Sequence, residues 1–264
     1  MKQSQFYYLL RRGLLKSMSV VKEGLVMFNK FTTAGISHPA QGSAEFDGAS
    51  DYISIPDLGI EGTQARTIMA WTYDNDISAD KVIVGLGDSN TTGQKYSFKL
   101  NGGSPSGLRI EVKGAGYNST TLSRTQNKWH HVAITQSGAN LNTGILYLDG
   151  SAEAVTLNYT SDTQEIGENV IGAQPITFSE PMNGNLANVA IWNRALSSDE
   201  INSVMWKGYQ SLTSKEKTGL QAWYSLDDIS SPAASLATME ALAVDKDATI
   251  ENKAAITAAI NALS

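Results

Sequence analysis

The sequence contains no cysteine. That absence removes disulfides, thiolate nucleophiles and zinc–thiolate sites together, so packing alone must hold any extracellular form. Histidine is nearly as scarce, with only His38, His130 and His131 in 264 residues. His130 and His131 are neighbours, and neighbours on a strand point to opposite faces, so the two cannot grip one metal ion or one substrate atom. They read as one hydrogen-bonded core histidine and one on the outer face. Charge is thin as well. Charged residues make up 17% of the chain and the net charge is −6, which leaves no broad basic face for a phosphate backbone and argues against a nucleic-acid partner. No apolar run approaches the ~18 residues that span a bilayer. The apolar stretch Met1–Leu15 is broken by Arg11-Arg12-Gly13 and is not followed by a small-residue cleavage site, so it does not read as a signal peptide.

What the sequence has in quantity is two-residue alternation. In Asn127-Lys-Trp-His-His-Val-Ala-Ile-Thr135, residues Trp129, His131, Ala133 and Thr135 take one side and His130, Val132 and Ile134 the other. Gly144-Ile-Leu-Tyr-Leu-Asp-Gly150 repeats the pattern, so the two segments predict a hairpin, with Asp149-Gly150 closing a further tight turn. Thr67–Tyr73 places Met69, Trp71 and Tyr73 on one face. Shorter strands are expected over 43–56, 81–86, 94–100, 107–113, 120–122, 154–157, 168–172 and 184–192, bounded by Gly, Asn, Ser or Pro, as in an antiparallel sandwich. The last of these alternates imperfectly, which predicts a bulge near Ala187-Asn188. Ser197 with Glu200 makes a capping box for a helix over 198–207. A chain of this length fits one all-β domain of about 200–250 residues with appendages.

At the ends the periodicity changes. Phe6, Leu9, Leu10 and Leu14 share one helical stripe, so residues 1–23 read as a short amphipathic helix or arm. The phrase Gly24-Leu-x-x-aromatic returns at Gly219-Leu-Gln-Ala-Trp223, which reads as a closing strand or the stump of a second copy. Residues 230–264 are Ala-rich and lack aromatics, with Ile256, Ala259, Ile260 and Leu263 at helical spacing. This tail either coils with its copies, docks on another protein or stays solvated.

Five phrases in this order, Phe46-Asp-Gly48, Trp129-His-His-Val-Ala133, Leu146-Tyr-Leu-Asp-Gly150, Gly184 to Trp192 and Asn193-Arg-Ala-Leu-Ser-Ser-Asp-Glu-Ile201, resemble the laminin-G-like, concanavalin-A-like family. The resemblance implies a two-sheet antiparallel jelly-roll sandwich over 24–229, with a short N-terminal helix and a helical C-terminal tail. The family spans lectins, adhesion modules, enzyme appendages and virion proteins, so fold alone does not fix the role. Tyr209–Asp227 resembles an extension found in tailed-phage and marine viral proteins. The expectation is therefore a non-enzymatic virion structural or adhesion protein, homo-oligomeric, held to other virion proteins by its terminal helices and touching cell-surface glycans. The alternative is a secreted bacterial carbohydrate-binding module or lectin.

Candidate chemistry is sparse. Glu45-Phe46-Asp47 begins the Glu-x-Asp pattern of jelly-roll glycoside hydrolases, but Gly48-Ala49-Ser50 follow where a third carboxylate belongs, so no enzyme is expected. The resemblance implies a calcium site of loop oxygens, for which Asp47, Asp51 and Asn188 are the candidates; Asn188 stands where the family commonly has an acid. Glycan-contacting loops are sought at Asp88 and Asn90, and at Tyr117 and Asn118, where aromatic and amide groups coincide.

Overall fold

The computed structural model describes residues 31–32, 35–36 and 42–226. The chain divides into two units, residues 1–37 and 38–264. Of the first, a two-residue hairpin is described, with Phe31–Thr32 (β1) paired to Gly35–Ile36 (β2). The helices expected over 1–23 and 230–264, and the strand expected to start at Gly24, lie outside the described residues except at Phe31.

The second unit supplies Ala44–Asp47 (β3), Ile53–Ile55 (β4), Arg66–Asp74 (β5), Lys81–Gly87 (β6) and Lys95–Leu100 (β7). Leu108–Val112 (β8), Ala115–Asn118 (β9), Trp129–Gln136 (β10), Gly144–Leu148 (β11) and Ser151–Ala154 (β12) follow. Asn169–Ile171 (β13) and Asn183–Trp192 (β14) lead to the helix Ser198–Val204 (α1), the helical turn Ser214–Lys217 (α2) and the closing strand Leu220–Tyr224 (β15). These strands form two antiparallel sheets. One has seven strands in the order β12-β11-β10-β5-β14-β15, with β3 also on β14; the other has six, in the order β4-β13-β6-β7-β8-β9. The jelly-roll sandwich expected from the sequence is the fold of this unit.

Alternation decides which side chains meet. Ile68, Ala70, Val132, Ile134, Leu146 and Leu148 face the six-stranded sheet and its Tyr96, Phe98, Leu108 and Ile110, forming the main core. The intervening residues Met69, Ala133, Tyr147, Ala190 and Trp192 point to the outer face of the seven-stranded sheet. There they form a second core with Leu196, Ile201, Val204 and Leu212. Helix α1 exists to cover that face. Ser197 and Glu200 close the capping box reciprocally, which satisfies two orphan donors, and Ile201 and Val204 supply the buried stripe. The indole N–H of Trp71 donates to the Met205 carbonyl and that of Trp192 to the Glu216 carbonyl, each at 2.8 Å.

Strand β14 organises the edge. Its first half pairs with β3 (Leu186 opposite Ala44) and its second half with β15 (Val189 opposite Tyr224), both on the side away from β5. Between the halves lies the bulge, where the register to β5 shifts between Ala187 and Ala190. Asn188 takes φ 47° there, and its N–H donates to the Ser225 carbonyl at 3.1 Å. The chain thus enters at Ser43 and leaves at Ser225 beside the same bulge.

Two strand expectations are corrected. Residues 120–122 form a loop, and the strand is Ala115–Asn118, on the edge of the six-stranded sheet. The strand expected at 154–157 is instead Ser151–Ala154, because the Asp149-Gly150 turn (φ 49° and 83°) starts it at once. The two sites explain each other. Glu153 on β12 accepts the N–H groups of Thr120 (2.7 Å) and Thr121 (2.9 Å) and the Tyr117 hydroxyl (3.1 Å), clasping one sheet edge to the other. Among the described residues, no helix is long and apolar enough to cross a membrane.

Candidate functional site

The second core covers only part of the outer face of the seven-stranded sheet. Its last covered row is Ala187, Trp71 and His131, in register across β14, β5 and β10, with Trp206 tilted against Trp71 at 5.1 Å. Beyond it the face opens. Tyr73 lies opposite Trp129 on one side and Asn185 on the other, and Asn185 lies opposite Glu45. Register partners share a face, so Glu45, Asn185, Tyr73 and Trp129 form one row across four strands. Glu45 is exposed and the other three are half-buried. The rings of Tyr73 and Trp129 are 5.7 Å apart at 57°.

A second, polar row lies outside the first. Asp47 is opposite Asn183, and the Asn75 amide donates to Asn183 Oδ1 at 3.4 Å. Asp47 is fixed by its own turn: the N–H groups of Ala49, Ser50 and Asp51 donate to its Oδ1 at 2.8, 2.9 and 3.1 Å. Those donors, led by Ser50 and Ala49, lower its pKa to about 2. Asp47 is therefore held in its ionised form.

The loop before Trp129 is latched. The Thr125 N–H donates to His130 Nε2 at 3.0 Å, and His130 Nδ1 lies 2.7 Å from Asp149 Oδ2. Since Nε2 accepts, Nδ1 carries the proton and donates it. The second Asp149 oxygen accepts the His131 N–H at 2.8 Å. Although His130 and Asp149 have the look of a catalytic dyad, the lone pair that would act as base is already occupied by Thr125. Deeper down, Asp74 anchors the same loop through Arg124 at 2.8 Å and holds Lys81 at 3.4 Å. Both cations are buried beneath the face.

The two histidines divide as expected into a hydrogen-bonded one and one on the outer face, but their burial is reversed. His130 is the hydrogen-bonded one and is only half-buried near the rim; His131, on the outer face, is fully buried beside Trp71 (rings 5.6 Å apart) and, among the described residues, neither ring nitrogen has a hydrogen-bond partner. Burial depresses its pKa to about 4, the Asp149 charge opposing. His38 lies outside the described residues.

The calcium candidates do not assemble. Asp47 and Asp51 are joined, Asp51 accepting the Asp47 N–H at 3.0 Å. Asn188 is buried at the bulge, five residues along β14 from the partner of Asp47, or about 16 Å at strand rise. Among the described residues no three His, Asp or Glu side chains are grouped to hold a metal. The glycan-loop candidates are likewise dispersed. Asp88 and Asn90 lie after β6, at the far end of the sandwich from Tyr73, and Asp88 is occupied by the Thr91 hydroxyl and the Asn90 N–H, both at 2.7 Å. Tyr117 packs on the main core and donates to Glu153. Asn118 is exposed opposite Arg109, on the outer face of the other sheet.

Sequence reasoning found Tyr73 and Trp129 on their strand faces but did not join them to Glu45 and Asn185. The alternation was there to read; the neighbours of each strand were not.

Comparison with known proteins places this architecture. Residues 47–202, more than half of the chain, match the laminin G group described as the concanavalin A-like lectin/glucanases superfamily. The chain belongs to that superfamily. No curated protein matches its sequence. Among solved structures, a candidate carbohydrate-binding protein from Bacteroides ovatus is similar with TM-score 0.52 and 19% identity, over 73% of this chain and 53% of that one. The chain thus spans about half the length of that protein. Domain 4 of an extracellular arabinanase from Geobacillus stearothermophilus, in complex with arabinotriose, gives TM-score 0.49 and 14% identity over 62% of this chain and 76% of that one. The Ruminococcus gnavus sialidase module bound to α2,3-sialyllactose gives 0.47 and 13%, over 63% and 99%. The superfamily holds both binders and hydrolases, so the residues of the open face must decide the chemistry.

Proposed function

We propose that this superfamily member is a non-catalytic glycan-binding domain whose ligand lies on the open end of the seven-stranded sheet. The observation that carries the reading is the row Glu45, Asn185, Tyr73 and Trp129. Ring faces at Tyr73 and Trp129 offer stacking surface for a pyranose, and the carboxylate and amides of Glu45, Asn185, Asn183 and Asn75 suit its hydroxyls. Binding rather than hydrolysis fits Asp47, which has no proton to give, and the turn Gly48-Ala49-Ser50 in place of a third carboxylate. The test is titration of an oligosaccharide panel against the protein and its Trp129→Ala variant. We expect a ligand whose affinity falls on the order of tenfold in the variant. Binding that Trp129→Ala leaves intact would sink the proposal.

For the setting we propose a virus particle, with the sandwich displayed outward and residues 1–23 and 230–264 as attachment segments; a secreted bacterial lectin is the alternative. The support is the viral resemblance of Tyr209–Asp227. Many copies would turn weak single contacts into avidity. Co-sedimentation with particles is the check, and loss of incorporation on deleting either segment is the expected outcome. Incorporation unaffected by both deletions would remove the attachment role.

A further inference from the structure

The charge of the open face goes beyond the glycan reading and rests on it. We infer that the face takes an uncharged oligosaccharide and excludes glycans that carry a carboxylate or a sulfate. Glu45 is exposed in the middle of the edge and, among the described residues, has no hydrogen-bond or ion-pair partner, so its charge is turned to the ligand. One row outward Asp47 adds a second exposed carboxylate, held ionised by three backbone N–H groups. Between them stand only amides, Asn183 and Asn185, with Asn75 alongside.

A carboxylate-bearing sugar needs the reverse arrangement, a guanidinium fork or an ammonium group facing it. Among the described residues, the nearby cations are committed elsewhere. Arg124 and Lys81 are buried and bound to Asp74. Lys95, Lys99 and Arg109 lie on the other sheet, paired with Glu111. Lys128, exposed in the loop before Trp129, is among the described residues the remaining positive group close in sequence to the face, and it stands against two carboxylates. An uncharged sugar meets acceptors for its hydroxyl protons at Glu45, and aromatic surface beneath. An anionic one meets the same surface with two like charges beside it.

The experiment uses the full chain on a printed array of matched glycans. Lactose, N-acetyllactosamine, cellotriose, arabinotriose and chitotriose stand beside sialylated, sulfated and uronate counterparts, and hits are titrated at low and high salt. We expect an uncharged hit whose anionic counterpart binds about tenfold weaker or worse at low salt, with the gap narrowing at high salt and in Glu45→Gln. Trp129→Ala and, as a second variant checked for folding by its melting curve, Tyr73→Ala should both lose the hit. An anionic glycan that binds as tightly as its uncharged counterpart and is lost in both variants would overturn the charge inference and leave the glycan face standing. Binding insensitive to both aromatic variants, or no glycan bound at all, would overturn the face and the inference together.

Discussion

At the scale of single residues, His131 couples the covered part of the outer face to pH. Buried beside Trp71 with, among the described residues, no hydrogen bond to either ring nitrogen, it is held neutral, its pKa depressed from 6.5 to about 4. Between those values the unfolded chain binds the extra proton and the folded one does not, so stability is complete above pH 6.5 and falls as pH drops toward 4. The loss amounts to about 3 kcal/mol across that window. It is separable from the carboxylates Glu111, Glu153 and Glu216, which have pKa values lowered to about 2 and lose their contribution only below the ordinary value of 4.5. Denaturant titrations at pH 7, 5.5 and 4.5 should show the decline, and His131→Phe should flatten it. Asn188 makes a second case. Its φ of 47° is one that Asn and Gly tolerate, so Asn188→Val should cost about 1–3 kcal/mol and Asn188→Gly much less, read from the same denaturation curves. The bulge was legible because one strand broke its alternation. The burial of the two histidines was not, since whether the outer-face His131 is covered or exposed depends on how far α1 extends over the sheet.

Among the elements, the Glu153 clasp and the α1 cap are the joints to probe. Glu153 belongs to β12, on the edge of the seven-stranded sheet, and Thr120 and Thr121 follow β9, on the edge of the six-stranded one. Glu153→Ala leaves those donors without their acceptor and should cost about 1–2 kcal/mol. Amide exchange should rise over residues 117–122 and leave β5 and β10 protected; unchanged exchange there would show the clasp to be incidental. Central strands announced themselves through alternation of large apolar residues. Ala115-Gly-Tyr-Asn118 did not, because an edge strand with Gly and Ala buries little and carries weak periodicity. The capping box of α1 was legible from Ser197 and Glu200. The same pattern at Thr213 and Glu216, which closes the box of the one-turn α2, passes unnoticed where no apolar stripe follows it.

For the whole molecule, both cores, among the described residues, are built from residues 44–226. A chain trimmed to residues 42–226 should therefore unfold in one cooperative transition with a melting temperature within a few degrees of the full chain; a broad or absent transition would mean that the ends contribute to the core. The fold was legible at this scale because the phrases around Trp129, Leu146, Gly184 and Ser197 occur in family order. The open face was not, since it combines Glu45, Tyr73, Trp129 and Asn185 from four strands, and pairing between strands so far apart in sequence leaves no local trace. The loop candidates chosen from composition, Asp88, Asn90, Tyr117 and Asn118, were instead recruited for turns, a clasp and the opposite sheet.

The meeting of Ser43 and Ser225 beside the Asn188 bulge has a topological consequence. β3 leaves that point in one direction along β14 and β15 returns to it from the other, so the sandwich is a closed circuit that opens at one spot. Such a circuit can be spliced into a surface loop of another protein with little strain, since the host needs only to bridge a short gap. For the same reason its two strand ends can be joined by a short linker and the chain reopened at an exposed turn elsewhere, giving a permuted protein with the same sheets and the same open face.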